Sequence, residues 1–167
     1  MRTNVERTVD DSRAESVYSV LPEDTNIHGN LFGGRLVEWI DKIGALVAIR
    51  HSRKNVVTAN IDSLSFIEPI TLGDSVILRS WINYAGITSM EIEVVAFAEK
   101  RADGKKILAC TAYLTYVAID ENSRPTPVPK LILKNAEEQK RFEEASKRKK
   151  ERLKKVKALS ETVPRSQ

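Results

Sequence analysis

The chain has 167 residues, one cysteine (Cys110), 30% charged side chains and a net charge of +4 at pH 7. That length suits a single domain whose core needs no covalent staples, and a lone cysteine excludes an intrachain disulfide framework. Met1 to Asp11 is polar and the apolar runs are short, so no secretory signal and no bilayer-spanning segment is expected, and the expected location is cytoplasmic.

Charge is unevenly spread. Residues 1–129 carry 14 basic and 17 acidic side chains, a net of −3, whereas residues 130–157 carry 12 and 5, a net of +7. The body is mildly acidic, and the basic excess belongs to a C-terminal appendix that reads as a solvated helix and could attract phosphate-bearing partners.

In chain order, residues 1–14 carry little apolar content and are expected to be loose. Residues 16–21 alternate at period two, a short strand, and Pro22 to Asn30 is a turn-rich loop. From Leu36 the spacing of Leu36, Ile40, Ile43 and Val47 predicts an amphipathic helix running to about His51. Asp41, Gly44, Ala45 and Ala48 form a second face, small enough to admit another backbone or a ligand. His51, at the helix end, is expected to meet the last carbonyls.

Strands follow. Val57 to Ile67 alternates but changes phase, which a bulge near Asp62-Ser63 explains. Val76 to Tyr84 is strand-like. Met90, Ile92, Val94, Ala96 and Ala98 define a buried face opposite a wetter one. Ala102 to Lys105 supplies a hairpin turn, and Ile107 to Ile119, apolar on both faces, reads as an inner strand around an inert Cys110 thiol. Pro125 to Pro129 ends the sheet. Residues 135–159 predict a helix laced by Glu143–Lys147, Glu144–Arg148 and Glu151–Lys155 at i, i+4. One long helix followed by strands without intervening helices indicates an α+β antiparallel sheet rather than a doubly wound one.

The chemistry must rest on few groups. There is no Gly-x-Ser-x-Gly elbow, phosphate-binding Walker loop or dinucleotide-type glycine fingerprint, and two histidines with one cysteine do not make an ordinary zinc site. No metal or cofactor is expected, and no nucleic-acid module is present. The informative stretch is Asp24-Thr25-Asn26-Ile27-His28-Gly29-Asn30-Leu31-Phe32-Gly33-Gly34, then Trp39-Ile40-Asp41. Bare glycines at a helix start let a carbonyl reach free N–H groups, the arrangement of an oxyanion hole, although glycine pairs also start helices for conformational reasons alone.

These motifs, with Val57-Thr58, Phe66-Ile67-Glu68-Pro69, Gly73-Asp74 and Thr88-Ser89-Met90, resemble hotdog-fold acyl-CoA thioesterases over about residues 15–130. The resemblance implies an antiparallel sheet wrapped around a central helix, with an added basic C-terminal helix or tail over 131–167. It implies homodimers with sites between subunits, commonly assembled as trimers of dimers. It implies Asp41 as general base on water, with attack by its own carboxylate as the alternative. Asn30 and the backbone N–H of Gly34, from the partner chain, would help hold the developing charge. Gly33, Val57 and Thr58 would line the substrate, and Gly86, Ile87, Thr88 and Ser89 would meet the phosphates of coenzyme A. Members often place a basic residue where this chain has Ile87, a departure for which the tail's lysines and arginines could compensate. His28 could touch substrate or bond to the loop, and Tyr113 and Tyr116 read as packing residues. The rival readings are a hotdog hydratase or dehydratase built on His28 and Glu38, and a non-catalytic acyl-CoA-binding protein.

Overall fold

The computed structural model describes residues 5–162. In chain order these form β1 (Glu6–Thr8), β2 (Ala14–Ser19), α1 (Gly33–Ser52), β3 (Asn55–Phe66), β4 (Ser75–Ala85), β5 (Ser89–Glu99), β6 (Lys106–Ile119), β7 (Lys130–Ile132) and α2 (Ala136–Thr162). Five strands make one antiparallel sheet in the order β2-β4-β5-β6-β3, wrapped against α1, which touches every one of them. This is the expected α+β hotdog arrangement.

Helix α1 buries Leu36, Ile40, Ile43 and Val47 as its spacing requires. Burial of such side chains contributes roughly 1.5–3 kcal/mol each. The helix stops at Arg53, whose left-handed φ of 56° turns the chain while its N–H donates to the Ile49 carbonyl at 2.7 Å. Beneath it, Met90, Ile92, Val94, Ala96 and Ala98 of β5 are fully buried, and Cys110 beside them is equally enclosed, its thiol pushed up to about 11 by burial. The phase change in β3 is real. Its register against β6 slips at Asp62, as expected, and a second time at Ala59.

Three expectations need correcting. Residues 1–14 are not all loose: β1 pairs in parallel with β7, and Val9 and Ser12 are buried, while residues 1–4 lie outside the described residues. The strand read at 16–21 sits earlier, at Ala14–Ser19, because its register is set by pairing with Ser75–Ser80 of β4. The C-terminal helix is no solvated appendix. It lies across the sheet face opposite α1, with Ala145 and Glu138 buried and Phe142 against Tyr84 at 4.9 Å between centroids.

That packing redirects the charges. Arg148 turns away from Glu144 and clasps Glu91 through Nε and Nη2, with its guanidinium 3.9 Å above the Tyr113 ring. Glu91, expected on the wetter face, is therefore only 3% exposed. Arg152 pairs with Asp62 at the β3 bulge, and Arg141 lies 4.7 Å over Trp81. Beyond Arg152, Leu153, Val156 and Leu159 are exposed. No helix among the described residues is long and apolar enough to cross a membrane.

Candidate active site

Asp41 sits mid-way along α1, half-buried, where the rigid helix aims its carboxylate at β3 and β6. Its Oδ1 accepts from the Thr58 hydroxyl at 2.8 Å and lies 2.9 Å from the Tyr116 hydroxyl. The same phenol is 2.9 Å from the Asp41 carbonyl, so its proton is shared between the two acceptors of one residue. Oδ2 has no hydrogen bond among the described residues. One oxygen is clamped and the other is available to a water, a suitable arrangement for a base.

Tyr116, read from sequence as packing, is fully buried and also holds Asp41. Burial and the adjacent Asp41 charge keep its phenol protonated, its pKa held well above the usual tyrosine range. The signal for this contact was the small-residue row. Gly44, one turn from Asp41, is where the ring passes: a Cβ there would stand 2.5 Å from the Tyr116 oxygen. Thr58 stands directly opposite Tyr116 in the β3–β6 register, immediately before the slip at Ala59. Val57 stands beside it on the same edge strand, exposed.

The loop before α1 is laced by its own side chains. Asp24 accepts from the Leu21 N–H at 3.1 Å and pairs with Arg35 at 3.1 Å, and its carbonyl takes the Phe32 N–H. Asn26 Oδ1 accepts from the backbone N–H groups of His28 (2.9 Å) and Asn30 (3.3 Å), which fixes the amide so that Nδ2 is its outward donor. His28 thus joins the loop through its backbone. Asn30 is anchored through its main chain, bridging to Thr71, which Asp74 grips by both N–H and hydroxyl. Burial alone would raise the Asp74 pKa, yet the Lys100 ammonium and the Thr71 and Arg101 donors hold it at about 2.

At the first turn of α1 the N–H groups of Gly33 and Gly34 have no partners among the described residues, because no helical carbonyl precedes them; the Phe32 carbonyl takes the next two, from Arg35 and Leu36. Asn30, Gly33, Phe66 and Ile70 line a cavity of about 310 Å³ beside them. Gly34 and Asp41 lie seven residues apart on one helix face, about 10.5 Å along the axis. Within one chain, therefore, Asp41, Thr58 and Tyr116 converge, as do Asn30, Gly33 and Gly34, but the two groups do not meet. A cavity of about 690 Å³ at the far end of α1, lined by Arg53, Lys54, Asp120 and Thr126, contains none of these residues.

The remaining expected residues form the β4–β5 turn. The Gly86 N–H donates to the Ser89 carbonyl at 2.8 Å, the Ile87 and Thr88 carbonyls accept from Val128 and Ala118, and the Ile87 side chain is exposed. His51 does not meet the carbonyls of its own helix. It is buried with Nε2 3.1 Å from the Pro129 carbonyl, because the segment before β7 crosses the end of α1. Among the described residues no cluster of His, Cys, Asp or Glu could hold a metal ion.

A family profile described as the thioesterase superfamily matches residues 28–105. The uncharacterized acyl-CoA thioester hydrolase YkhA of Bacillus subtilis is 41% identical over 83% of this chain and 80% of its own length. The chain belongs to the acyl-CoA thioester hydrolases of the thioesterase superfamily. The cytosolic acyl coenzyme A thioester hydrolase of Rattus norvegicus is 34% identical over 82% of the chain, which spans 36% of that protein's length. An acyl-CoA hydrolase from Staphylococcus aureus, solved with butyryl coenzyme A, coenzyme A and its disulfide, superposes with a TM-score of 0.87 at 33% identity, covering 94% of this thioesterase-family chain and 96% of its own. Structures of that hydrolase also exist with alanine in place of an asparagine, an aspartate and a threonine. A hexameric acyl-CoA thioesterase superposes equally well, with a TM-score of 0.87 at 38% identity over 91% of this chain and 97% of its own.

Proposed function

We propose that this chain hydrolyses acyl-CoA to coenzyme A and a carboxylic acid at sites shared between two copies of itself. The carrying observation is the Asp41 carboxylate, clamped at Oδ1 by Thr58 and Tyr116 and open at Oδ2. In the proposed reaction, Oδ2 takes a proton from a water whose oxygen attacks the thioester carbonyl carbon. The resulting oxyanion is held by the N–H groups at Gly33 and Gly34 of the facing chain. Its collapse breaks the C–S bond, and the departing thiolate takes up the proton as free thiol. Removal of an oxyanion donor typically costs about 2.7–4 kcal/mol of barrier. Direct attack by the Asp41 carboxylate is the minor alternative. The proposed reaction needs no cofactor, because coenzyme A belongs to the substrate.

A second chain is called for because the two half-sites are two helical turns apart in one protomer. Edge strand β3 offers the means. Its outer edge is unpaired among the described residues, and Val57, Ile61 and Phe66 are exposed along it. We assign it to a continuous sheet across a dimer, the unit of a trimer of dimers. Reaction in the cytoplasm fits the cytosolic mammalian relative.

Two loop amides compete for the role of orienting water or holding charge. Asn30 is the one implied by the family motif. Asn26 has a specific observation in its favour. The asparagine, aspartate and threonine replaced in the S. aureus hydrolase are separated by fifteen and seventeen residues. Asn26, Asp41 and Thr58 repeat both intervals. Asn26 also has its amide fixed with Nδ2 free, whereas Asn30 contributes its main chain to the loop. The test is thiol release from acyl-CoA by Asp41→Ala, Asn26→Ala and Asn30→Ala, each checked for folding and assembly. Losses of at least a hundredfold are expected for Asp41 and for the operative amide, on the order of the cost of one oxyanion donor. Unimpaired turnover in folded Asp41→Ala would end the proposal.

A further inference from the structure

The packing of α2 on the sheet brings a cation, Lys149, to a place where no acidic group among the described residues pairs with it. Of the basic residues on the inner side of α2, Arg141 pairs with Glu137, Arg148 with Glu91 and Arg152 with Asp62. Lys149 has no ion pair among the described residues. Its ammonium lies 4.8 Å from the centre of the Tyr84 ring, with a long 3.4 Å contact to the Tyr84 hydroxyl. It is also against the β4–β5 turn. A Cβ built on Gly86 would stand 2.8 Å from Lys149 Nζ and 3.3 Å from Ser89 Oγ, so the ammonium and the hydroxyl lie within about 6 Å of each other across the bare glycine. A larger residue at 86 would fill that space.

The turn adds donors of its own. The Gly86 N–H closes the turn on the Ser89 carbonyl, while the N–H groups of Ile87 and Thr88 have no partner among the described residues. An ammonium and the Ser89 hydroxyl across a gap of that size, in a turn with two further free N–H groups, suit a tetrahedral oxyanion. The exposed Ile87 side chain brings no charge, so the cation must come from another element. We infer that Lys149 of the C-terminal helix, acting with the Gly86–Ser89 turn, binds a phosphate of the substrate's coenzyme A portion. This inference rests on the acyl-CoA reading above and makes α2 a determinant of substrate affinity. Lys149 is a binding residue remote from the bond that breaks, so it acts on KM.

The experiment compares wild type, Lys149→Ala, Lys149→Arg and the exposed control Lys150→Ala on three thioesters of one acyl group: acyl-CoA, acyl-3′-dephospho-CoA and acyl-pantetheine. Coenzyme A affinity is measured in parallel by calorimetry. Lys149→Ala is expected to raise KM for acyl-CoA, and Kd for coenzyme A, about tenfold, the scale of one charge-assisted contact, with kcat unchanged. Acyl-pantetheine, which lacks every phosphate of the coenzyme, should be handled equally by wild type and variant, and Lys149→Arg should recover most of the affinity. If the difference disappears with acyl-3′-dephospho-CoA, the 3′-phosphate is the one held; if it persists, the diphosphate is. An unchanged KM and Kd in Lys149→Ala, or an equal loss on acyl-pantetheine, would overturn the inference. Coenzyme A binding that weakens in Lys149→Ala while wild type turns over no thioester would leave the phosphate site standing and remove the hydrolase reading. Wild type that fails to bind coenzyme A overturns both.

Discussion

Gly44→Ala is the substitution that best separates folding from chemistry in this site. On an ordinary helix the change would stabilise by about 0.8–1 kcal/mol, because glycine is the poorer helix former. Here the new methyl would stand 2.5 Å from the Tyr116 oxygen and 3.1–3.2 Å from Cζ and Cε2, in a region where the ring is fully buried. Overpacking of this kind costs about 1–3 kcal/mol, so the expected net is a loss of roughly 0–2 kcal/mol. For a domain of this size that lowers Tm by up to about 8 °C. Catalysis should suffer more. A phenol pushed off Asp41 removes a hydrogen bond to a charged group, worth about 1.5–3 kcal/mol and therefore roughly ten- to 150-fold in kcat. Thermal melts and thiol-release kinetics on the same preparation read the two effects. The double variant Gly44→Ala/Tyr116→Phe removes the 2.5 Å contact and should regain stability without regaining turnover. A rise in Tm with unchanged kcat in the single variant would refute the reasoning, because the helix-propensity gain would then have acted alone.

Arg148→Ala strands Glu91 beneath α2 without its cation, which should cost about 3–5 kcal/mol and lower Tm by roughly 6–20 °C. Glu91→Gln, which leaves no buried charge of that sign, should be milder, and equal losses in the two variants would contradict a charge-pair origin. His51 gives a pH dependence. Burial lowers its pKa below the ordinary 6.5, so the unfolded chain takes up the proton first. Stability should therefore fall as pH drops below about 6.5, and the fall should flatten in His51→Gln. Urea midpoints between pH 7 and 5 measure it, and an unchanged slope in the variant would exclude His51 as the source. Asp74 behaves conversely to a group that loses its charge easily. With its pKa at about 2 against an ordinary 3.8, its contribution is complete above 3.8 and is lost as pH falls toward 2. Asp74→Asn should flatten the acid limb there and loosen the Asn30 loop, seen as faster amide exchange at Thr71.

The fold was legible where periodicity meets burial on one face. The Leu36–Val47 stripe, the β5 alternation and the phase change at Asp62 each follow from apolar side chains turned to one shared core. Of the candidate site, the mid-helix place of Asp41 and the free N–H groups at the glycine pair were legible, because motif and local geometry agree on those positions. What escaped depends on partners distant in sequence. Tyr116 reaches Asp41 across 75 positions, and its alternating strand context shows only that it is inward. The place of the basic tail is hidden in the sequence for the same reason. Its i, i+4 pattern is self-sufficient on paper, and only the acidic residues on the back of the sheet, Glu91 and Asp62, reveal where Arg148 and Arg152 go. Asn26 and Asn30 share one motif that composition does not divide, and the bonds accepted by Asn26 Oδ1 are what favour it for the proposed role.

The grip of Arg148 and Arg152 sets a limit on engineering this scaffold. A designer seeking a minimal version would be tempted to trim the polypeptide once the last sheet strand is complete. Any cut before Arg148 would leave both Asp62 and Glu91 without their cations on a denuded surface shaped to be covered. Shortening to that point would need both acids replaced by neutral side chains in the same step.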